Sequence, residues 1–179
     1  MTKEEKTTLQ KQWFQTHCLS ELLNPNEIHK LGYFFLESFV NQRVKIDVNL
    51  DFANAKVSVN HSISDMNIEI ELLFKNPDYT ILILENKLET GNQASQIMQY
   101  ADYAKNNYDG NYIILYLTKH GQNPSEYPKK DGKFVFKSIS YRTDIRNWLT
   151  KCIDKLDARP VLRVTLEQYI ESLEEVTAD

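Results

Sequence analysis

The sequence predicts an α/β or α+β domain built on a mixed β-sheet with flanking helices. Helical periodicity fills the first 42 residues, alternating and fully apolar runs follow from 43 to 139, and helical periodicity returns from 140 to 179. The chain has 179 residues, of which 41% are hydrophobic and 26% charged, as in ordinary globular proteins. We therefore expect one domain over 1–179, with a helical lead-in (1–42), a sheet that carries the candidate site (43–139) and C-terminal helices (140–179).

The lead-in contains two predicted helices, over residues 8–23 and 27–42, separated by an Asn-Pro-Asn turn at 24–26. The second helix has a single apolar stripe made of Ile28, Leu31, Phe35 and Phe39. From Val44 to Phe52 apolar and polar residues alternate, which predicts a strand with one face in water. Val57, Val59 and Ile63 predict a second strand.

The middle of the chain predicts a hairpin, because strand-like runs at 67–74 and 79–87 flank an Asn-Pro-Asp turn at 76–78. The aliphatic run 81–84 is apolar on both faces, so this strand is expected at the centre of the sheet. The remaining predicted elements are a helix at 92–106, strands at 112–118 and 134–139, and helices at 141–156 and 165–176.

Charge and cysteine content exclude several classes of protein. The net charge of −4 argues against indiscriminate nucleic-acid binding, although a local basic surface is compatible with it. No window approaches the ~18 apolar residues of a membrane span, and the first six residues do not precede an apolar signal core. Cys18 and Cys152 lack metal-site spacing, so we expect free buried thiols in the cytoplasm.

The candidate site lies at the end of the predicted central strand. Side chains alternate along a strand, so Glu85 and Lys87 share a face with Ile81 and Ile83. Carboxylates and carbonyls suit Mg²⁺ or Mn²⁺, but one carboxylate is too few to hold the ion. A second acid must therefore come from a neighbouring segment.

Hairpin register identifies that second acid. Asp78 is excluded, because seven extended residues place it roughly 23 Å from Glu85. A three-residue loop pairs residue 75 with 79, which puts Glu69 opposite Glu85 and leaves Glu71 and Asp65 as fallbacks. A register slip of one residue would turn Glu69 to the other face.

Two carboxylates and a lysine suit phosphodiester hydrolysis, in which the ion activates water and the lysine orients it. Gln93, Gln96 and Tyr100 share one face of the following helix and could brace the lysine, the water or the phosphate. A basic stretch could track a phosphate backbone; it comprises Lys129, Lys130, Lys133, Lys137 and Arg142. Each pattern also has an ordinary explanation as solvated surface.

Together these residues resemble the PD-(D/E)XK nuclease superfamily, which has the restriction-endonuclease-like fold. Four segments carry the resemblance, which extends over about residues 19–170 and is strongest with a bacterial branch of poorly defined or defence-related function. They are the acid-bearing strand 68–70, the Glu-x-Lys strand 83–87, the Gln-x-x-x-Tyr helix 92–100, and the Leu-Leu-Asn-Pro element 22–25 with His29.

The resemblance implies a Mg²⁺- or Mn²⁺-dependent nuclease, acting on DNA in preference to RNA, with a role in phage defence. It implies metal ligation by Glu69, Glu85 and the main-chain carbonyl of Asn86, with Lys87 as the catalytic lysine. Glu69 stands where the family usually has aspartate. The branch often has an acidic residue in its first helix, before a His-Ser pair, where this chain reads Gln15-Thr16-His17-Cys18. Glu21 and Glu37 are the candidate substitutes, although neither matches in place.

Two other functions stay open. One is a catalytically weak or inactive module on the same fold that binds nucleic acid or a protein partner. The other is a partner-docking protein of the toxin–antitoxin kind, or a homodimer, joined through the acidic helix 165–176.

Overall fold

The structure, a computed structural model, describes residues 2–27, 29–44, 50–62, 67–75, 79–88, 94–108, 112–127 and 135–178. Its helices are α1 (Lys3–Leu23), α2 (Phe34–Phe39), α3 (Ala94–Asn107), α4 (Arg146–Ile153) and α5 (Pro160–Thr177). Its strands are β1 (Lys56–Ser62), β2 (Asn67–Lys75), β3 (Tyr79–Lys87), β4 (Tyr112–Thr118) and β5 (Val135–Ser140). Short π-helical turns extend α2 over Val40–Val44 and precede α4 over Tyr141–Ile145.

Within the described residues the strands form one mixed sheet in the order β1-β2-β3-β4-β5. The β1–β2 and β2–β3 pairs are antiparallel, whereas β3, β4 and β5 run parallel. Strand β3 is central, and the predicted mixed sheet with flanking helices is confirmed. The predicted hairpin register is also confirmed: Lys75 pairs with Tyr79, and residue 69 pairs with Glu85.

The two faces of the sheet bury different helices. Alternate residues of β3, including Leu82 and Leu84, join the main core together with α1, α2, α4 and α5. The intervening residues Ile81 and Ile83 join a smaller core with α3. The pleat of β3 therefore divides its residues between an α1 face and an α3 face.

The prediction of a strand from Val44 to Phe52 is wrong at residue 44 and at residues 50–52, which do not form a strand. Residues 45–49 lie outside the described residues. Val44 ends a π-helical turn, and Leu50 is buried without joining a strand. The Asp51 carboxylate accepts from the Asn54 backbone, which closes a turn. Three described strands, not four, therefore precede α3.

The second helix begins later than predicted, at Phe34 instead of 27. Lys30 and Gly32 have φ of 52° and 54°, a left-handed conformation that no α-helix contains. Conversely, α5 begins earlier than predicted, because Pro160 occupies its first turn, where a missing N–H costs nothing.

Over the residues that the structure describes, no helix combines the length and the apolar character that crossing a membrane requires. Both cysteines are free, as predicted; Cys152 is buried and Cys18 half-buried.

Candidate active site

Two ionisable side chains are buried at the end of β3. Glu85 is 0% exposed and Lys87 is 7% exposed. Their alternation with Ile81 and Ile83 puts them on the α3 face. Charged side chains are rarely buried unless they are paired, hydrogen-bonded or bound to a metal. The end of β3 is therefore a candidate functional site on physical grounds.

Strand β2 brings a second acidic residue to the same row of the sheet. Residue 69 is the register partner of Glu85, and Glu71 is the partner of Ile83. Directly opposed residues of an antiparallel pair have Cβ atoms about 5 Å apart. The side chain of Glu69 lies outside the described part of the chain, as do Asp65 and Asp78. Glu71 is half-buried, one pleat further from the strand end.

Helix α3 supplies a hydrogen-bond relay to Glu85. The Tyr100 hydroxyl donates to Glu85 Oε2 at 2.8 Å, and Gln96 Nε2 donates to the Tyr100 oxygen at 2.6 Å. Ala101 and Ala104 pack this helix onto the sheet with small side chains, which allow a close approach. The Gln-x-x-x-Tyr pair thus fixes the carboxylate; Gln93 lies outside the described residues.

Strand β4 adds two residues that sequence reasoning missed. Tyr116 is the register partner of Glu85, and burial together with the Glu85 charge raises the pKa of its phenol. Thr118, the partner of Lys87, accepts from the backbone N–H groups of Gly121 and Gln122 and shapes the turn after β4. Gly121 has φ of 80° there, which glycine adopts without strain. Tyr116 and Thr118 could have been identified from the sequence by aligning β4 in parallel register with the Glu-x-Lys strand.

Asn86, between the two charged residues, faces the opposite way. Its Nδ2 donates to the Gln12 carbonyl at 3.1 Å and to Thr16 Oγ1 at 2.8 Å. The fully buried Tyr141 also interacts with Asn86, although burial dominates and raises the pKa of its phenol well above the usual value. Asn86 therefore ties the end of β3 to α1 through neutral groups.

Several predicted residues are not brought to this site. Lys137 lies on the α1 face, where its ammonium donates to the Arg43 carbonyl, so it does not extend a basic surface around Glu85. Glu37 is exposed on α2, which packs on the α1 face, so it does not replace the missing first-helix acid at Glu85. Arg142 is exposed just past β5, at the edge where β3 ends.

The other basic residues, Lys129, Lys130 and Lys133, lie outside the described residues. His29 is bonded to two backbone groups: its Nε2 donates to the Asn24 carbonyl and its Nδ1 accepts from Leu31 N–H. Burial is the largest effect on this ring and lowers its pKa, which favours the neutral form.

Among the described residues there is no cluster of three or more His, Cys, Asp or Glu side chains that could hold a metal. The described residues do not include the side chain of Glu69. The donor chemistry at the end of β3 nevertheless fits a hard divalent cation. Glu85 offers a buried, oriented carboxylate, and its register partner carries a second one.

Comparison with curated proteins found no match, and comparison with solved structures found none either. A family model, described as the PD-(D/E)XK nuclease superfamily, matches residues 8–171. The match runs from the first third of α1 to most of α5 and includes every element of the site. The mixed sheet with flanking helices agrees with the restriction-endonuclease-like fold, and the family supports a nuclease-type function. The chain belongs to the PD-(D/E)XK nuclease superfamily.

Proposed function

We propose that this protein is a metal-dependent nuclease that hydrolyses phosphodiester bonds in DNA. One observation supports this most strongly: a fully buried carboxylate, Glu85, is oriented by Tyr100 and Gln96 beside a buried lysine, with an acidic residue as its register partner. A glutamate with only a structural role at a strand end would add no stability in this arrangement, because burying a charge costs free energy.

Metal ligation is assigned to Glu85, Glu69 and the main-chain carbonyl of Asn86. These ligands would hold Mg²⁺ or Mn²⁺, which would supply polarisation of the phosphoryl oxygen and a lowered pKa of a coordinated water. The Tyr100 hydroxyl holds one oxygen of the Glu85 carboxylate in place. Asn86 contributes main chain only, because its side chain is engaged by α1.

Lys87 is assigned the catalytic role beside these ligands. Its ammonium orients the attacking water and offsets negative charge that develops on the phosphate in the transition state. Burial strengthens this effect, because screening by water is weak there. Arg142, exposed at the same edge, and the lysines at 129, 130 and 133 are proposed to contact the phosphate backbone.

A second candidate function is a weakly active or inactive binding module on the same fold. The observation that favours it concerns α1, where the branch often has an acid and this chain reads Gln15-Thr16-His17-Cys18. Gln15 is buried, and its Oε1 accepts from the Tyr169 hydroxyl at 2.7 Å. This position therefore serves the packing of α5 and adds no charge to the site.

A cleavage assay separates the two functions. Supercoiled and single-stranded DNA, with RNA for comparison, are incubated with Mn²⁺, Mg²⁺ or EDTA. We expect DNA cleavage with metal and none with EDTA, and losses of at least about 100-fold in Lys87→Ala and Glu85→Gln. Lys75→Ala, at the opposite end of the β2–β3 hairpin, and Glu171→Gln, exposed on α5, are the matched controls.

Cleavage that survives both site substitutions would contradict the assignment. Absence of cleavage with every substrate would favour the binding module. The proposed role in phage defence is tested separately, by comparing phage plating on cells that express the wild type and Lys87→Ala; equal plating would refute it.

A further inference from the structure

The segment that follows β4 folds back against β5. Residues 119–127, here called the β4–β5 loop, contain no helix or strand. Ser138 Oγ of β5 donates to Asn123 Oδ1 at 2.6 Å. Four residues further along the loop, the Tyr127 ring stacks on Phe136 of β5, with centroids 4.7 Å apart and planes 12° apart. A hydrogen bond and a ring stack therefore hold the loop along the strand.

The ring stack lies on the same face of the sheet as the candidate active site. Phe136 pairs with Ile114, which in turn pairs with Ile83. Ile83 is on the α3 face, two residues before Glu85, and Phe136 packs against the same core as α3. Two strand spacings of about 4.8 Å and one step of two residues place the Cα atoms of Phe136 and Glu85 roughly 12 Å apart.

Hydroxyl groups occupy the sheet between Glu85 and the β4–β5 loop. Tyr116 pairs with Glu85, and Ser138 pairs with Tyr116, so the three residues form one row across β3, β4 and β5. Residues paired in this way share a face of the sheet. Hydroxyl side chains are common donors to phosphate oxygens in protein–DNA interfaces. The row therefore offers contacts to a phosphate chain that runs from Glu85 toward the loop.

Tyr127 combines exposure with a fixed orientation. Its side chain is 46% exposed, and Phe136, which covers one face of the ring, is half-buried. The exposed area therefore belongs to the other face and to the hydroxyl edge. A ring that is already held in place has little side-chain entropy to lose when a ligand stacks on it.

The charge around the loop is positive, although the chain as a whole has a net charge of −4. Residues 119–133 contain four lysines and two acidic residues, Glu126 and Asp131. The backbone N–H of Arg142 donates to the Lys119 carbonyl, so an exposed arginine lies at the start of the loop. This excess of cations complements a phosphate backbone.

We propose that the β4–β5 loop binds the DNA strand that is cut as a single strand, with one unpaired base stacked on Tyr127; this rests on the nuclease function proposed above. Aromatic rings bind bases through their flat faces, which a closed duplex hides and a single strand presents. The phosphates that adjoin the stacked base follow the row of Tyr116 and Ser138 toward Glu85. The substrate class is therefore single-stranded DNA.

The test is photochemical crosslinking. The full chain, in EDTA to prevent metal-dependent cleavage, is mixed with an oligothymidylate of about 12 nucleotides that carries one 5-iodouracil. Ultraviolet light crosslinks this base to an aromatic ring on which it is stacked. We expect a crosslink to Tyr127, located by mass spectrometry. With a fluorescent label on the oligonucleotide, the Kd measured by anisotropy should rise about tenfold in Tyr127→Ala.

Matched variants separate stacking from packing. Tyr127→Phe keeps the aromatic face and should retain most of the affinity, whereas Tyr127→Leu covers Phe136 without such a face and should bind as weakly as Tyr127→Ala. Tyr33→Ala is the control, because Tyr33 is 43% exposed and stacked on Phe52, which packs against the core on the other face of the sheet. It should change neither the crosslink nor the Kd.

Absence of a crosslink to Tyr127, or an unchanged Kd in Tyr127→Ala, would overturn the proposal. Wild-type affinity in Tyr127→Leu would do so too, because the ring would then only cover Phe136, and so would equal affinity for a closed duplex of the same length. Cleavage is scored independently with Mn²⁺. Cleavage without the crosslink refutes only the role of the loop, whereas the crosslink without cleavage refutes only the nuclease function.

Discussion

The end of β3 has two faces that differ in the kind of polar group they bury. On the α3 face, Glu85 and Lys87 are ionisable, and Tyr100 orients the carboxylate. On the α1 face, Asn86 meets the neutral hydroxyl of Thr16 and the neutral carbonyl of Gln12. The pleat of β3 directs neighbouring residues to opposite sides of the sheet. Glu85 and Lys87 therefore face the candidate site, whereas Asn86 anchors the strand to α1.

Burial keeps the titratable groups around Asn86 on the α1 face neutral. It raises the pKa of the Tyr141 and Tyr169 phenols well above the usual value, and that of the Cys18 thiol to about 11. All three groups consequently stay protonated at neutral pH. These neutral groups hold α1 and the end of β3 in fixed positions. On the α3 face, Glu85 and Lys87 are instead placed where they could contact a metal or a substrate.

Glu85→Gln gives the largest expected difference between the faces. Cleavage should fall at least about 100-fold, because the amide is a poor metal ligand. Thermal stability should be unchanged or higher, since the amide oxygen still accepts from Tyr100 and the desolvation cost of a buried carboxylate disappears. Calorimetric unfolding alongside the cleavage assay measures both; a large loss of stability would make Glu85 a structural residue.

Asn86→Ala should act on stability instead. It removes two buried hydrogen bonds, although the Thr16 hydroxyl still donates to the Gln12 carbonyl, for a loss of about 1–3 kcal/mol in the free energy of unfolding. Urea denaturation measures this loss. Asn106→Ala, on the exposed side of α3, is the control and should change stability by less than about 0.5 kcal/mol. Equal effects of the two substitutions would remove the anchoring role.

Tyr100→Phe should reduce cleavage by about tenfold without a comparable loss of stability. It deletes the donor to Glu85 Oε2 while the ring stays in place, and a hydrogen bond to a charged group contributes about 1.5–3 kcal/mol. Tyr103→Phe, on the exposed side of the same helix, should be neutral in a parallel assay. Full activity in Tyr100→Phe would show that the relay from Gln96 does not position the carboxylate.

Thr16→Val has the smallest expected effect, a loss of about 1 kcal/mol, because Asn86 keeps its bond to the Gln12 carbonyl. Thr16→Ser retains the hydroxyl and should stay within about 0.5 kcal/mol of the wild type. Denaturation curves that reversed this order would mean that the methyl group of Thr16, and not its hydroxyl, stabilises the end of β3.

The sequence alone predicted the parts of the site that depend on local rules. A three-residue loop fixed the β2–β3 register, and alternation put Glu85 and Lys87 on one face. Helical spacing paired Gln96 with Tyr100 but left open whether they brace a lysine, a water or a phosphate. That choice, and the presence of Tyr116 beside Glu85, depend on how α3 and β4 pack against β3, which local spacing does not encode.

The differences between the predicted and the observed secondary structure have local causes in the sequence. Alternation at 44–52 favours a strand, but the Asp51 and Asn54 side chains favour the turn that forms at 51–54. Gly32, with its left-handed backbone, was a missed signal that the second helix begins late. Pro160 was likewise a missed start signal for α5.

The most direct test of the central proposal is to locate Mn²⁺ by anomalous scattering in crystals of the wild type and of Glu85→Gln. We expect one strong peak in the wild type, bonded to the carboxylates of Glu85 and Glu69, and no peak there in the variant. No peak at the end of β3, or one that persists in Glu85→Gln, would contradict it.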